Sequence, residues 1–139
     1  MPKAASTQSE AAPTAPAKAE VLDRPVLDQL GKALTNGKPE LLAKVINLYL
    51  VESPKLMQKL KQAALASDAP EIARTAHSLK SSSAYVGATV LSRHCADIEA
   101  SARRADTEEA CKILAKIETE HDSVQSALTA EFELLAAKA

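Results

Sequence analysis

His77 and Lys80 stand three residues apart in the run Ala76-His77-Ser78-Leu79-Lys80-Ser81-Ser82-Ser83, which continues into Tyr85-Val86-Gly87. On a helix an offset of three makes two side chains neighbours, so an anion carried by the imidazole would have a cation beside it. An imidazole, with an ordinary pKa of ~6.5, keeps a large neutral fraction and a nucleophilic nitrogen near neutral pH. Such a nitrogen can take up a phosphoryl group. Lys80 and the hydroxyls of Ser81 or Ser82 would steady the dianionic oxygens by charge-assisted hydrogen bonds. The labile P–N bond would then let the group pass to an acceptor carboxylate. An exposed histidine on a polar helix face is more often only a solvated side chain, so the element that presents His77 has to be read before that chemistry is assigned.

At ~100° per residue, Ile72, Ala76, Leu79, Ser83 and Val86 share a narrow sector, the face a helix would bury. His77 lies roughly 140° round from Ile72 and therefore projects towards solvent. Ala73 and Arg74 stand one turn before it, Lys80 and Ser81 one turn after, and Ala84 two turns away. None of these is a carboxylate. The small residues Ala73, Ser81 and Ala84 leave room for a docked protein, while Arg74 and Lys80 favour an anion on the ring.

The rest of the chain reads as helices that hold this one. Asp23 caps a short first helix with Pro25 in its first turn and Leu27, Leu30 and Leu34 on one face, and Asn36-Gly37 stops it. Pro39 suits the first turn of a second helix with the stripe Leu42, Val45, Ile46 and Tyr49, which ends or kinks at Ser53-Pro54. A further segment runs from Pro54 to about Ala66 with Leu56, Leu60 and Ala63 inward. Asp68 with Glu71 makes a capping-box-like start for the His77 helix, and Gly87 marks its end or a kink. Leu91, Cys95, Ile98 and Ala102 give the next helix its seam. Asp106 with Glu109 starts the last, whose Ile113, Ile117, His121, Val124, Leu128 and Phe132 carry on to about Leu135. The sum is a helical bundle with a short N-terminal lid.

Composition agrees. The 139 residues are 46% hydrophobic but only 2% aromatic, with three glycines, which favours helices over strands and one core over two. Residues 1–20 hold almost nothing large and apolar and read as a disordered tail, leaving 21–139 as the folded domain. A net charge of −1 without a dense basic block argues against nucleic acid as a partner. No apolar stretch approaches the ~20 residues of a membrane span and no secretory signal opens the chain, so a cytoplasmic protein is expected. Cys95 and Cys111 lack metal or redox spacing, which suits a reducing compartment and leaves a disulfide between them open.

The run from Thr75 to Ala88, continuing through Leu91-Ser92 and Cys95 to Glu99, resembles the histidine-containing phosphotransfer (HPt) domain of bacterial phosphorelays, in organisation over roughly residues 22 to 135. The resemblance implies an all-α, up-down-up-down four-helix bundle. In it His77 would be phosphorylated by a receiver-domain aspartate and pass the group to another, with Lys80 assisting and Gly87 allowing the close turn behind the phosphorylated helix. It further implies a phosphocarrier rather than an enzyme, with no cofactor or metal of its own. Mg²⁺ would come on the partner, a response-regulator receiver or a hybrid sensor histidine kinase, and docking would use an apolar patch of the first helix and the turn from Ala84 to Ala88. A monomer is expected. Ser81 departs from the glycine common after the lysine in this family, and Tyr85 stands where a small polar residue is common, which predicts a shift in partner preference.

Two other readings compete. The phosphoacceptor helix pair of a sensor kinase usually places an acid directly after the histidine and a proline five residues on, whereas here those positions are Ser78 and Ser82. A helical adaptor without phosphotransfer would use the same exposed face. Metal binding is disfavoured: His94 reads as a surface residue, His121 as a hydrogen-bonded edge of the core and both cysteines as core fillers. Arg103-Arg104 reads as a solvated helix end whose cations suit the dipole.

Overall fold

The computed structural model describes residues 21–138, except for the side chains of Leu34 and Thr35. The tail assigned to 1–20 and the expected inward face of Leu34 thus lie outside the described residues. Among the described residues every regular element is a helix: α1 (Arg24–Thr35), α2 (Pro39–Leu65), α3 (Ala69–Tyr85), α4 (Thr89–Arg103) and α5 (Thr107–Lys138). The last four form an up-down-up-down bundle in which α2 packs on α3, α3 on α4, α4 on α5 and α5 back on α2, with α1 laid against α2 and α3. Ile72, Ala76, Leu79, Ser83 and Val86 are buried, as are Leu91, Cys95, Ile98 and Ala102, so the seams read from the sequence face one core.

The three turns that make neighbours antiparallel are one device used three times. After each helix one residue adopts positive φ: Ser67 at 51°, Gly87 at 84° and Ala105 at 60°. The following N–H then reaches back to the last turn, from Asp68 to Ala63, Ala88 to Ser83 and Asp106 to Ser101 at 2.8–2.9 Å, which satisfies carbonyls the helix end would orphan. Asp68 and Asp106 also cap the next helix, accepting from the N–H of Glu71 (3.2 Å) and Glu109 (3.0 Å). The reciprocal half of the expected capping box is absent. Glu71 turns to Arg74 and Thr75 instead.

Glycine is needed at only one of these turns. A Cβ on Gly87 would lie 2.9 Å from the carbonyl oxygen of Asp23, because the start of α1 docks here through a 2.7 Å bond from the Asp23 N–H to the Gly87 carbonyl. Arg24 fastens the lid to α5 by a bidentate pair with Glu131 at 2.8 and 2.9 Å.

Of the outcomes expected at Pro54, an end and a restart do not occur: α2 runs unbroken from Pro39 to Leu65 with the proline inside it. A proline inside a helix leaves the carbonyl four residues back without its donor, here that of Leu50. The side-chain amide of Gln125 on α5 supplies it at 3.2 Å. Gln125 also accepts from Ser53 (3.2 Å), whose hydroxyl stands 2.8 Å from Nε2 of buried His121. The expected core-edge role of His121 is thereby met by a network that repairs α2. Burial lowers the His121 pKa, with Asp122 opposing, so the ring stays neutral and donates through Nε2 to the hydroxyl.

Candidate functional site

His77 sits mid-helix on α3 with its side chain 58% exposed, on the side that leans over α4. Its partner there is Glu99, the carboxylate that reading along α3 alone missed. Nδ1 of His77 is 3.1 Å from Glu99 Oε2, Lys80 Nζ donates to Oε1 at 2.8 Å, and Arg103 donates to Oε2 through Nη2 at 2.6 Å and Nε at 3.2 Å. The Glu99 side chain is only 9% exposed. Burial pushes its carboxyl up, but the hydrogen bonds from Lys80, Arg103 and His77 outweigh that and hold it down at about 2. Glu99 is therefore an anion and can only accept.

That fixes the chemistry of the ring. An acceptor facing Nδ1 assigns the proton to Nδ1, so the lone pair belongs to Nε2. The nucleophilic nitrogen is then the one turned away from α4. The cation expected to wait for an anion is already engaged: Lys80, 32% exposed, is bonded to Glu99. With neutral His77, the cluster of Lys80, Arg103 and ionised Glu99 carries one net positive charge, which still favours an incoming anion.

The sequence matches the Hpt domain family over residues 44–137. The chain belongs to the Hpt domain family. Its fold is similar to that of histidine-containing phosphotransfer protein B (HptB) from Pseudomonas aeruginosa PAO1, with 28% identity, a TM-score of 0.75 and coverage of 86% of this chain and 97% of that one. A rice structure assigned to the histidine-containing phosphotransfer proteins shares the fold at 16% identity, with a TM-score of 0.73 over 84% of this chain and 83% of its own. No curated protein matches the sequence. Among the described residues no helix is long and apolar enough to cross a membrane, and no three His, Cys, Asp or Glu gather where they could hold a metal.

The other expected site residues of this Hpt protein scatter. Ser81 is exposed one turn beyond His77. Ser82 is not on that side: its hydroxyl turns back to the carbonyls of Ser78 and Leu79, and it lines a small apolar cavity with Val45, Leu48 and Tyr85. Ala73, expected to leave room on an open face, is only 6% exposed, because the α3–α4 contact covers it. Arg74 is exposed and held by Glu71. Gly87 is buried beneath α1, so it shapes the turn and presents no surface.

Ala84 and half-exposed Tyr85 border a shallow apolar groove with Pro25, Val26 and Leu30 of α1, where the docking patch was expected. Val86, Gly87 and Ala88 are buried and contribute nothing to it. The cysteines are both free: Cys95 fills the core, and burial pushes its thiol up to about 12, whereas Cys111, expected inside, is exposed. Arg103 is more than a solvated helix end, since it grips Glu99. Glu99 carried a signal of its own. It stands four residues after buried Cys95 and four before Arg103, and an acid on the rim of an apolar seam needs a cation.

Proposed function

We propose that this Hpt protein is a cytoplasmic phosphocarrier of a two-component phosphorelay, taking a phosphoryl group from one receiver-domain aspartate onto His77 and passing it to another. The observation that supports this most is the 3.1 Å contact between His77 Nδ1 and an ionised carboxylate on an otherwise open imidazole. The Nε2 lone pair attacks phosphorus, the N–P bond forms as the P–O bond to the aspartyl group breaks, and the aspartate leaves as a carboxylate. The Nδ1 proton stays where it is, so the ring becomes a cation whose charge Glu99 neutralises. Transfer onward runs the same steps in reverse on a second aspartate.

Lys80 and Arg103 hold Glu99 ionised and in place, and Lys80 is near enough to shift towards the phosphoryl oxygens once they arrive. Mg²⁺ and the remaining catalytic groups would come with the receiver, which would dock on the α1 groove, Ala84, Tyr85 and the exposed side of Ser81. A hybrid sensor histidine kinase is the source in this scheme. Incubation with a phosphorylated receiver and Mg²⁺ tests it: wild type should gain acid-labile, alkali-stable phosphate, and His77→Gln should gain none. Failure of wild type to label with a panel of receivers would favour the adaptor.

A further inference from the structure

The four long helices bury their apolar stripes in one core, yet α2 carries a second apolar line on the side away from it. Leu48 is 62% exposed, Val51 48% and Leu41 37%. Exposed Lys44 and Lys55 complete a line of alternating three- and four-residue steps from Leu41 to Lys55, the spacing of a helix seam that meets another helix. Single exposed leucines need no account, but three apolar residues on one such line do.

The same segment is complementary to its own reverse about Leu48. Lys44 stands four residues before Leu48 and Glu52 four after, while Val45 and Val51 stand three before and three after. Laid antiparallel on a second copy with Leu48 at the two-fold axis, α2 would set Leu48 on Leu48, Val45 on Val51 and Lys44 on Glu52, each unlike contact made twice. Within one chain, among the described residues, Glu52 has only an exposed pairing with Lys55 at 3.3 Å. Lys44 has no ion-pair partner among the described residues. A parallel pair would stack like charges on one another.

We propose that α2 is a self-association surface on which a second copy of this chain pairs antiparallel about Leu48, with Val45 on Val51, Leu41 against the methylene stem of Lys55, and Lys44 and Glu52 setting the register. His77 leans on α4, across α3 from α2, so both phosphoacceptors remain open in the pair. The contacting stretch is ~22 Å of helix, short beside the ~800 Å² per partner of a standard interface. The dimer is accordingly weak, reversible and dominant only at high concentration. The expected monomer is its dilute form.

Sedimentation velocity of the full chain at low ionic strength, from ~10 to ~500 μM, reads the association without any receiver present. Wild type should move from monomer towards dimer across that range. Leu48→Glu, folded by circular dichroism, should stay monomeric. Lys44→Glu and Glu52→Lys should each weaken the dimer at least ~tenfold, and the double exchange should restore it. A wild-type monomer throughout overturns the proposal, including the case in which Leu48→Glu weakens receiver binding instead. A dimer unaffected by Leu48→Glu, or single reversals the double exchange does not rescue, overturns the assigned surface or register.

Discussion

His77 and His121 each point a ring nitrogen at an oxygen on another helix, from opposite faces of one bundle. His77, at the α3–α4 face, meets an ionised carboxylate and keeps its other nitrogen in solvent. His121, at the α2–α5 face, is only 6% exposed and meets a serine hydroxyl whose own proton goes to Gln125. Hydrogen bonding is common to both, so it does not make a reactive site. What differs is the charge of the acceptor and the access to the second nitrogen. One ring is oriented and left open for chemistry, and the other is neutral and spent on repairing a helix.

The sharpest break between the two faces is expected from removing each ring. His77→Gln should abolish phosphoryl labelling while changing stability by no more than about 1 kcal/mol, measured by urea unfolding, because the glutamine amide can still donate to Glu99 and Lys80 and Arg103 still hold it. His121→Ala should leave labelling rates unchanged and cost about 2–4 kcal/mol, from lost packing and the lost hydrogen bond to Ser53, which keeps only its bond to Gln125. Comparable losses of stability in both variants would erase the distinction.

Glu99→Gln probes the charge on the open face. A hydrogen bond to a charged group contributes about 1.5–3 kcal/mol, so losing it in the transfer step should slow phosphorylation roughly 10–100-fold, read by quenched-flow labelling. The same variant has a pH signature. Glu99 is depressed from 4.5 to about 2, so its stabilising contribution is complete above 4.5 and drains away as the pH falls towards 2. Wild type should lose stability faster than Glu99→Gln across that window. Identical acid profiles would mean that the carboxylate is not held as described.

On the sealed face, Gln125→Ala should cost about 1–3 kcal/mol by stranding the Leu50 carbonyl. Adding Pro54→Ala should return most of it, because the new backbone N–H serves that carbonyl directly. No rescue would mean that Gln125 stabilises α2 in some other way. The smallest effect is expected of Lys80→Ala, a several-fold slower transfer or shorter-lived phosphohistidine without unfolding, since Arg103 still holds Glu99. Wild-type rates and lifetimes would remove Lys80 from the site.

Much of this architecture was legible because helical seams are written locally. Ile72, Ala76, Leu79, Ser83 and Val86 declared the buried side of α3 through their spacing, and with it the outward side of His77. Pro54 misled for the same reason. Its cost is visible in α2, but the compensating amide of Gln125 is 75 residues from the carbonyl it serves. Glu99 was invisible in the neighbourhood of His77 because it comes from another helix, 22 residues on. Ala73 looked open because its own helix left it uncovered and α4 did not. Ser67 and Ala105 took positive φ with no glycine to announce it. Contacts between helices carry what the period of one helix cannot.

The central claim is that Glu99 keeps the proton on Nδ1 of His77 so that Nε2 receives the phosphoryl group. Phosphorus–nitrogen correlation NMR on the ¹⁵N-histidine-labelled, phosphorylated protein tests it directly. The account predicts phosphorus coupled to Nε2 of His77 with Nδ1 still protonated. A phosphoryl group on Nδ1, or on any other residue, would contradict it.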